Sequence, residues 1–116
     1  MGKKLTISLT NRRPVTVDTD VWPLVASAKD WDNQYECQAN RTWTLLVRQC
    51  QTEGDDRCVV YGVYTTNWQN ESDKRGGEIV DDLDSVPAAV KRVAEYLGFE
   101  EQLADACIAD LPADEI

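Results

Sequence analysis

The segment RCVVYGVYTT, residues 57–66, constrains the fold of this chain most strongly. Read as a β-strand, it places apolar side chains on both faces: Val59, Tyr61 and Val63 on one, Val60 and Tyr64 on the other. A strand with two apolar faces is predicted to be central in its sheet and covered on each side. Gly62 interrupts the run, which indicates either a bulge or the close approach of another element.

Four further segments alternate apolar and polar residues as half-buried strands do. Residues 5–9 and 15–17 lie on either side of the breaker NRRP and predict an N-terminal hairpin. Residues 35–39 and 43–47 flank the turn-forming Asn40 and predict a second hairpin. A last short strand is predicted at EIVDD, after a polar stretch at 67–77 that is interpreted as a long hairpin loop or a mobile segment. The glycine pair at 76–77 is interpreted as an ordinary turn.

Three segments are predicted to be helical. A short helix from Val21 to Ala28 would be capped by one of the residues of Asp18–Asp20. A longer helix is indicated by apolar residues at helical spacing, namely Val86, Ala89, Val90, Val93 and Leu97. Gly98 would end that helix in a left-handed conformation, and a second helix is predicted from about Glu100 to Asp110.

Together these elements predict a single α+β domain over residues 1–116, in the order β-β-α-β-β-β-α-α. We expect an antiparallel sheet of about five strands with the helices packed on one face, and a frayed tail at 111–116. No run of about 18 apolar residues is present, and the N-terminal segment lacks the continuous apolar stretch of a signal peptide. The sequence therefore predicts a cytoplasmic protein.

The chain contains no histidine, so the usual Cys–His and Ser–His catalytic pairs are absent. It has no phosphate-binding glycine motif and no C-x-x-C pair among its four cysteines. We therefore expect a protein that is not an enzyme, with no cofactor and no metal site. Cys50 and Cys58 flank a polar loop and could face each other across a hairpin, although a reducing cytoplasm would keep them as thiols.

Charge is unevenly distributed along the chain. Residues 1–50 hold seven Lys and Arg against five Asp and Glu, whereas residues 51–116 hold five against sixteen. The net charge of −9 thus arises entirely from the second half. Such a field repels nucleic acid and anionic membranes and attracts basic protein surfaces, and it equally serves solubility.

The stretch IVDDLDSVP concentrates three aspartates immediately before the predicted long helix. Asp84, with Ser85 as its substitute, is the predicted helix cap, because a side-chain oxygen there can accept a hydrogen bond from the first helical turn. Capping accounts for only one of these three aspartates. A calcium loop is not indicated, because the segment lacks the central glycine and has Arg92 where the terminal glutamate should be.

The remaining carboxylates are predicted to form a surface that recognises a basic partner, provided that their loops meet at one end of the sheet. Two tryptophans in polar surroundings are candidate interface anchors. The predicted partner-binding residues are Asp55, Asp56, Glu71, Asp73, Glu78, Asp81, Asp82, Trp31 and Trp68.

In its size, its acidity, its lack of histidine and catalytic motifs and its sheet-plus-helix pattern, the chain resembles the small acidic accessory proteins of phages and plasmids, including anti-CRISPR inhibitors. The resemblance is one of class and carries over no functional residue. It implies a non-enzymatic protein that blocks a nucleic-acid-handling complex, in some cases by presenting carboxylates where nucleic acid would lie.

Two alternatives remain open. The first is an assembly subunit that binds through a sheet edge or an apolar patch, with its charge serving only solubility. The second is a nucleic-acid-binding protein that uses the basic residues of its first half, Lys3, Lys4, Arg12, Arg13, Arg41 and Arg48. The acidity of the chain makes direct nucleic-acid binding the weaker of the two, and no membrane partner is expected.

Overall fold

The computed structural model describes residues 2–10, 12–32 and 40–112. The strands are β1 (Lys4–Ile7), β2 (Val15–Asp18), β3 (Leu24–Asp32), β4 (Arg41–Gln49), β5 (Cys58–Thr66) and β6 (Lys74–Val80). A single 3₁₀ turn, Leu83–Ser85, leads into helix α1 (Val86–Leu97), and helix α2 (Glu101–Ala109) follows. No helix in these described ranges is long and apolar enough to cross a membrane.

The fold has three layers built around a four-stranded antiparallel sheet in the order β3-β4-β5-β6. Helices α1 and α2 pack on one face of this sheet, and the separate β1-β2 hairpin packs against the other. The α+β class, the antiparallel pairing and the helices on one face are as predicted. The single five-stranded sheet is wrong, because the N-terminal hairpin forms a two-stranded sheet of its own.

Strand β5 is central, as its two apolar faces predict. It lies between β4 and β6, and both Val59 and Val60 are fully buried. Val60 belongs to the apolar cluster beneath the helices, whereas Val59 belongs to the cluster beneath the hairpin. One strand therefore contributes to both cores, which explains why it cannot show simple alternation.

The predicted apolar stripe of α1 is confirmed. Val86, Ala89, Val90 and Val93 are fully inaccessible to solvent, and the helix covers β5 and β6. The helix ends at Gly98, whose φ of 74° is the left-handed conformation that glycine adopts without strain. The close approach anticipated at Gly62 is also present, since a Cβ atom built there would lie 2.5 Å from Leu97 Cδ1.

The predicted helix from Val21 to Ala28 is wrong, because Leu24–Asp32 form strand β3. Ala26 and Ala28 are buried with half-exposed Ser27 between them, which is the burial pattern of a strand. Alanine favours helices in isolation, but here its small size lets helix α2 lie directly on the strand, and tertiary packing overrides the propensity.

Two smaller predictions also change. The partner of β4 is β3, and the predicted strand at 35–39 lies outside the described residues. The glycine pair at 76–77 lies inside β6 rather than in a turn, with both residues buried and paired with β5. The loop between β5 and β6 is therefore the shorter segment 67–73.

The cysteines of the described residues are free and buried. Cys50 lies in the hairpin-side cluster and Cys58 in the helix-side cluster, so the two thiols point to opposite faces of the sheet instead of facing each other. Burial raises the pKa of both Cys58 and Cys107 to about 11, which keeps these thiols protonated and unreactive. Cys37 lies outside the described residues.

Candidate partner-binding surface

Three turns leave the four-stranded sheet at the same end. The register pairs Cys58 with both Gln49 and Val80, so the β4–β5 loop and the segment after β6 emerge side by side. The turn before β3 joins them through a hydrogen bond from the Gln51 amide to the Val21 carbonyl, at 2.8 Å. We call this surface the acidic end; its carboxylates belong to Asp20, Glu53, Asp55, Asp56, Asp81, Asp82 and Asp84.

Arg57 is the one basic side chain in these three turns, residues 19–23, 50–57 and 81–85. Its Nε and Nη2 atoms donate to the two oxygens of Asp55 at 2.9 and 2.8 Å, and its guanidinium lies 5.5 Å from the centre of the Trp22 ring. The guanidinium holds the pKa of Asp55 far below its ordinary range. Arg57 therefore forms an ion pair with one carboxylate of the acidic end, that of Asp55.

The helix cap differs from the prediction. Asp82, not Asp84, is the N-cap of the 3₁₀ turn, and its Oδ1 accepts hydrogen bonds from the Ser85 amide at 3.0 Å and the Ser85 hydroxyl at 2.9 Å. Asp82 has the extended backbone that an N-cap requires. Ser85, the predicted substitute, holds the N-cap position of α1, but its backbone is helical and its side chain makes no cap bond. Asp82 is thus a structural residue, although it lies within the acidic end.

Five carboxylates of the acidic end make no hydrogen bond or ion pair within the described residues, namely those of Asp20, Glu53, Asp56, Asp81 and Asp84. Asp81 acts on Arg57 through its charge alone. Charges that have no internal role can meet a partner without breaking a contact that holds the fold together. They are therefore the best candidates for recognition.

The other predicted partner-binding residues lie elsewhere. Glu71 and Asp73 belong to the β5–β6 loop at the opposite end of the sheet, where Asp73 accepts a hydrogen bond from the Thr66 amide at 3.1 Å. Glu78 lies on β6 and accepts two hydrogen bonds from Arg92 on α1. The acidic end therefore brings together only Asp55, Asp56, Asp81 and Asp82 of the predicted set.

The two candidate tryptophans also lie away from the acidic end. Trp31 is 64% exposed near the end of β3, and its amide is bonded to the Asp30 carboxylate at 2.9 Å. Trp68 is half-buried in the β5–β6 loop, where its amide donates to the Thr66 hydroxyl. Neither ring could anchor a partner bound to the acidic end.

Strand β3 is the outer strand of the sheet on the side away from β6, and carboxylates occupy part of its edge. The Ser27 amide donates to Asp110 Oδ2 at 2.9 Å, a contact that ties the end of α2 to this edge. The bond between Asp30 and the Trp31 amide occupies a second donor. Both contacts weigh against docking through β3, because strand addition needs free main-chain groups.

Two of the basic residues of the first half, Arg41 and Arg48, lie far apart on opposite faces of the sheet. Arg41 lies on the helix-side face and holds Glu71, whereas Arg48 lies on β4 near the acidic end. Arg48 donates to the Tyr61 hydroxyl at 2.9 Å and to the Trp22 carbonyl at 3.1 Å. This separation weighs against a continuous nucleic-acid track, which needs adjacent cations.

A second feature, which sequence reasoning missed, is a cleft of about 700 Å³ on the helix-side face, at the end opposite the acidic one. One cross-strand row runs Asp30–Trp43–Tyr64–Lys74 over all four strands. Trp43, Tyr64 and Lys74 of this row line the cleft, together with Asp32 from β3. Leu97, the last residue of α1, lies over Gly62 and Gly76 of the neighbouring row, so the cleft opens where this helix ends. Asp30 aligns with Trp43 only because Leu24–Asp32 form a strand. The predicted helix from Val21 to Ala28 concealed that strand.

One wall of the cleft is an interlocked polar group. Arg41 Nε and Nη2 donate to the two oxygens of Glu71 at 3.1 and 3.0 Å, and the Tyr64 hydroxyl donates to the same carboxylate. These bonds lower the pKa of Glu71, while burial and the nearby carboxylate raise the pKa of Tyr64. The group fixes the loop that bounds the cleft.

Within the described residues, no three His, Cys, Asp or Glu side chains are arranged to hold a metal ion. In comparisons with known proteins, the chain matches no family model, no curated protein sequence and no solved structure.

Proposed function

We propose that this protein is a non-enzymatic inhibitor or adaptor that binds a basic protein surface through its acidic end. The observation that carries the proposal is the convergence of three acidic turns at one end of the sheet, with Arg57 as their single cation. Carboxylates gathered on one surface create a field that steers a basic partner into contact and accelerates association.

The partner surface would be one that otherwise binds nucleic acid. Carboxylates gathered on adjacent turns resemble the closely spaced charges of a phosphate backbone, for which basic grooves are complementary. The class-level resemblance to small acidic inhibitors of nucleic-acid-handling complexes favours the same interpretation. Binding there would exclude nucleic acid from its site by competition.

The test reverses charges that have no structural role. A double variant, Asp56→Lys with Asp81→Lys, leaves both the Asp82 cap and the Asp55–Arg57 pair intact. The matched control, Glu95→Lys with Asp105→Lys, makes the same change in net charge on exposed helix positions away from the acidic end.

Partners captured by the wild-type protein from a bacterial host would be identified by mass spectrometry, and association would then be measured with the purified partner at low and high salt. We expect the acidic-end variant to associate about tenfold more slowly at low salt, with rates that converge as salt rises. We also expect the wild-type protein to compete with DNA or RNA for the partner. An acidic-end variant that associates as fast as the control would refute the proposal.

A further inference from the structure

A small hollow beside the main cleft combines features that suit a single organic cation. Its volume is about 150 Å³, and it is lined by Asp30, Trp43, Gly98, Glu100 and Leu103. Two carboxylates thus share a cavity with an indole ring and an apolar side chain. No lysine or arginine lines this hollow among the residues that the structure describes.

The sheet register sets the position of the ring. Trp43 lies in β4 between Asp30 on β3 and Tyr64 on β5. Its ring contacts Tyr64 at a centroid distance of 5.5 Å and an interplanar angle of 40°. Tyr64 therefore lies on the β5 side of Trp43, and Trp43 lines the hollow together with Asp30 from β3.

The two carboxylates retain capacity for a ligand. Asp30 uses Oδ1 to accept a bond from the Trp31 amide, and no hydrogen bond to its Oδ2 is present within the described residues. Glu100 accepts bonds from α2 through its main-chain carbonyl, while its carboxylate makes none within that same part of the chain. Both side chains are exposed at the rim of the hollow.

The helix ends add to the field. Helix α1 ends at Leu97, and Gly98, at the partially negative end of its dipole, lines the hollow. The positive end of α2 lies on the same rim, where the acidic Glu100 and Glu101 offset it. The charged side chains that line the hollow, those of Asp30 and Glu100, are both acidic.

We propose that this hollow binds a guanidinium group. A guanidinium is flat and can stack on the indole of Trp43 while its N–H groups donate to Asp30 and Glu100. An ammonium ion lacks the planar shape and is more strongly hydrated, so arginine-like ligands are preferred over lysine-like ones. The group would come either from an arginine of a bound protein or from a small guanidino compound.

This site is separate from the acidic end. Trp43 and Tyr64, which set the position of the hollow, are each six residues along their strands from Gln49 and Cys58, where the acidic turns begin. The Asp56→Lys, Asp81→Lys variant should therefore bind a small guanidinium probe as the wild type does. Failure of one proposal can thus be told apart from failure of the other.

The experiment titrates N-acetylargininamide into the isotope-labelled protein and follows the indole N–H signal of Trp43 by NMR, assigned with Trp43→Phe. N-acetylcitrullinamide, which has nearly the same shape without the charge, is the matched probe. We expect saturable shifts with the arginine derivative and none with the citrulline derivative. Asp30→Asn with Glu100→Gln should raise the dissociation constant about tenfold, whereas Asp105→Asn, on the same helix as a control, should not change it.

A short arginine-containing peptide distinguishes the two sources. Tighter binding of the peptide than of N-acetylargininamide would indicate a protein ligand, and equal binding would indicate a small guanidino compound. Equal shifts with the arginine and citrulline derivatives, or undiminished binding by the Asp30→Asn, Glu100→Gln variant, would overturn the proposal.

Discussion

Gly76 and Gly77 are adjacent in β6 but differ in the space around them, which allows a sharp test of the packing. A Cβ atom at Gly77 would lie 2.5 Å from the Val60 carbonyl oxygen and 2.8 Å from Tyr61 Cβ. At Gly76 the nearest atom would be Tyr96 Cε1, at 3.3 Å. The first obstacle is the main chain of the central strand, whereas the second is a side chain that is 65% exposed and free to move.

The expected changes in unfolding free energy follow from these contacts. Replacing glycine by alanine within a strand gains about 0.5–1 kcal/mol from the lower entropy of the unfolded chain. At Gly77 this gain is outweighed by overpacking, which typically costs about 1–3 kcal/mol and here requires β5 and β6 to separate. We expect Gly77→Ala to lose about 1–2 kcal/mol of unfolding free energy and Gly76→Ala to change it by less than about 0.5 kcal/mol.

Urea unfolding followed by far-ultraviolet circular dichroism would measure both variants beside the wild type. A difference of 1–2 kcal/mol corresponds to a melting temperature lower by roughly 4–8 °C for a chain of this size. The denaturant slope should stay unchanged, because neither variant alters the extent of the buried surface. A Gly77→Ala variant as stable as Gly76→Ala would refute the described approach of the two strands.

Two further predictions concern single carboxylates. Asp82→Ala should lower the unfolding free energy by about 1 kcal/mol because it removes the N-cap, whereas Asp84→Ala should change it by less than about 0.5 kcal/mol; the opposite ranking in urea unfolding would contradict the cap assignment. The bonds from Arg41 and Tyr64 lower the pKa of Glu71 below its ordinary value of 4.5, so this contact stabilises the fold above that pH, and the stabilisation is lost as the pH falls through the lowered value. Glu71→Gln should therefore be less stable than the wild type at neutral pH, and the difference should shrink in acid; a difference independent of pH between neutral and acidic conditions would rule out the ionic contribution.

The two ends of the sheet have different chemical characters. The acidic end presents exposed carboxylates on turns, a broad surface suited to long-range steering. The opposite end presents a cleft with aromatic residues in its floor and a fixed ion pair in its wall, which suits a specific group. A partner that engages both ends would have to span the length of the sheet. Each site can be tested separately, whether or not one partner reaches both.

Local sequence patterns were sufficient to predict an element wherever a single periodicity dominated the segment. The stripe from Val86 to Leu97 could be read directly, because residues three or four apart on a helix share one face whatever that face covers. The two apolar faces of 57–66 likewise predicted a central strand, and the acidic loops beside it were recognised as candidate surface. These properties depend on neighbours along the chain, so the sequence alone determines them.

Other features depend on which segments meet in space. Leu24–Asp32 form a strand whose small residues Ala26 and Ala28 let α2 pack directly on it. Helix α2 lies far along the chain, so this contact cannot be read from neighbouring residues. The same pairing aligned Asp30 with Trp43 and created the hollow, so an error in one element concealed a whole site.

The sequence by itself determined the α+β class, the central strand, the two C-terminal helices and the uneven charge of the chain. Only the tertiary structure decided that the N-terminal hairpin forms a separate layer, that Asp82 rather than Asp84 is the cap, and which carboxylates gather at one end. The physical reason is that periodicity and charge are local properties, whereas strand register and layer packing arise from contacts between segments distant in sequence.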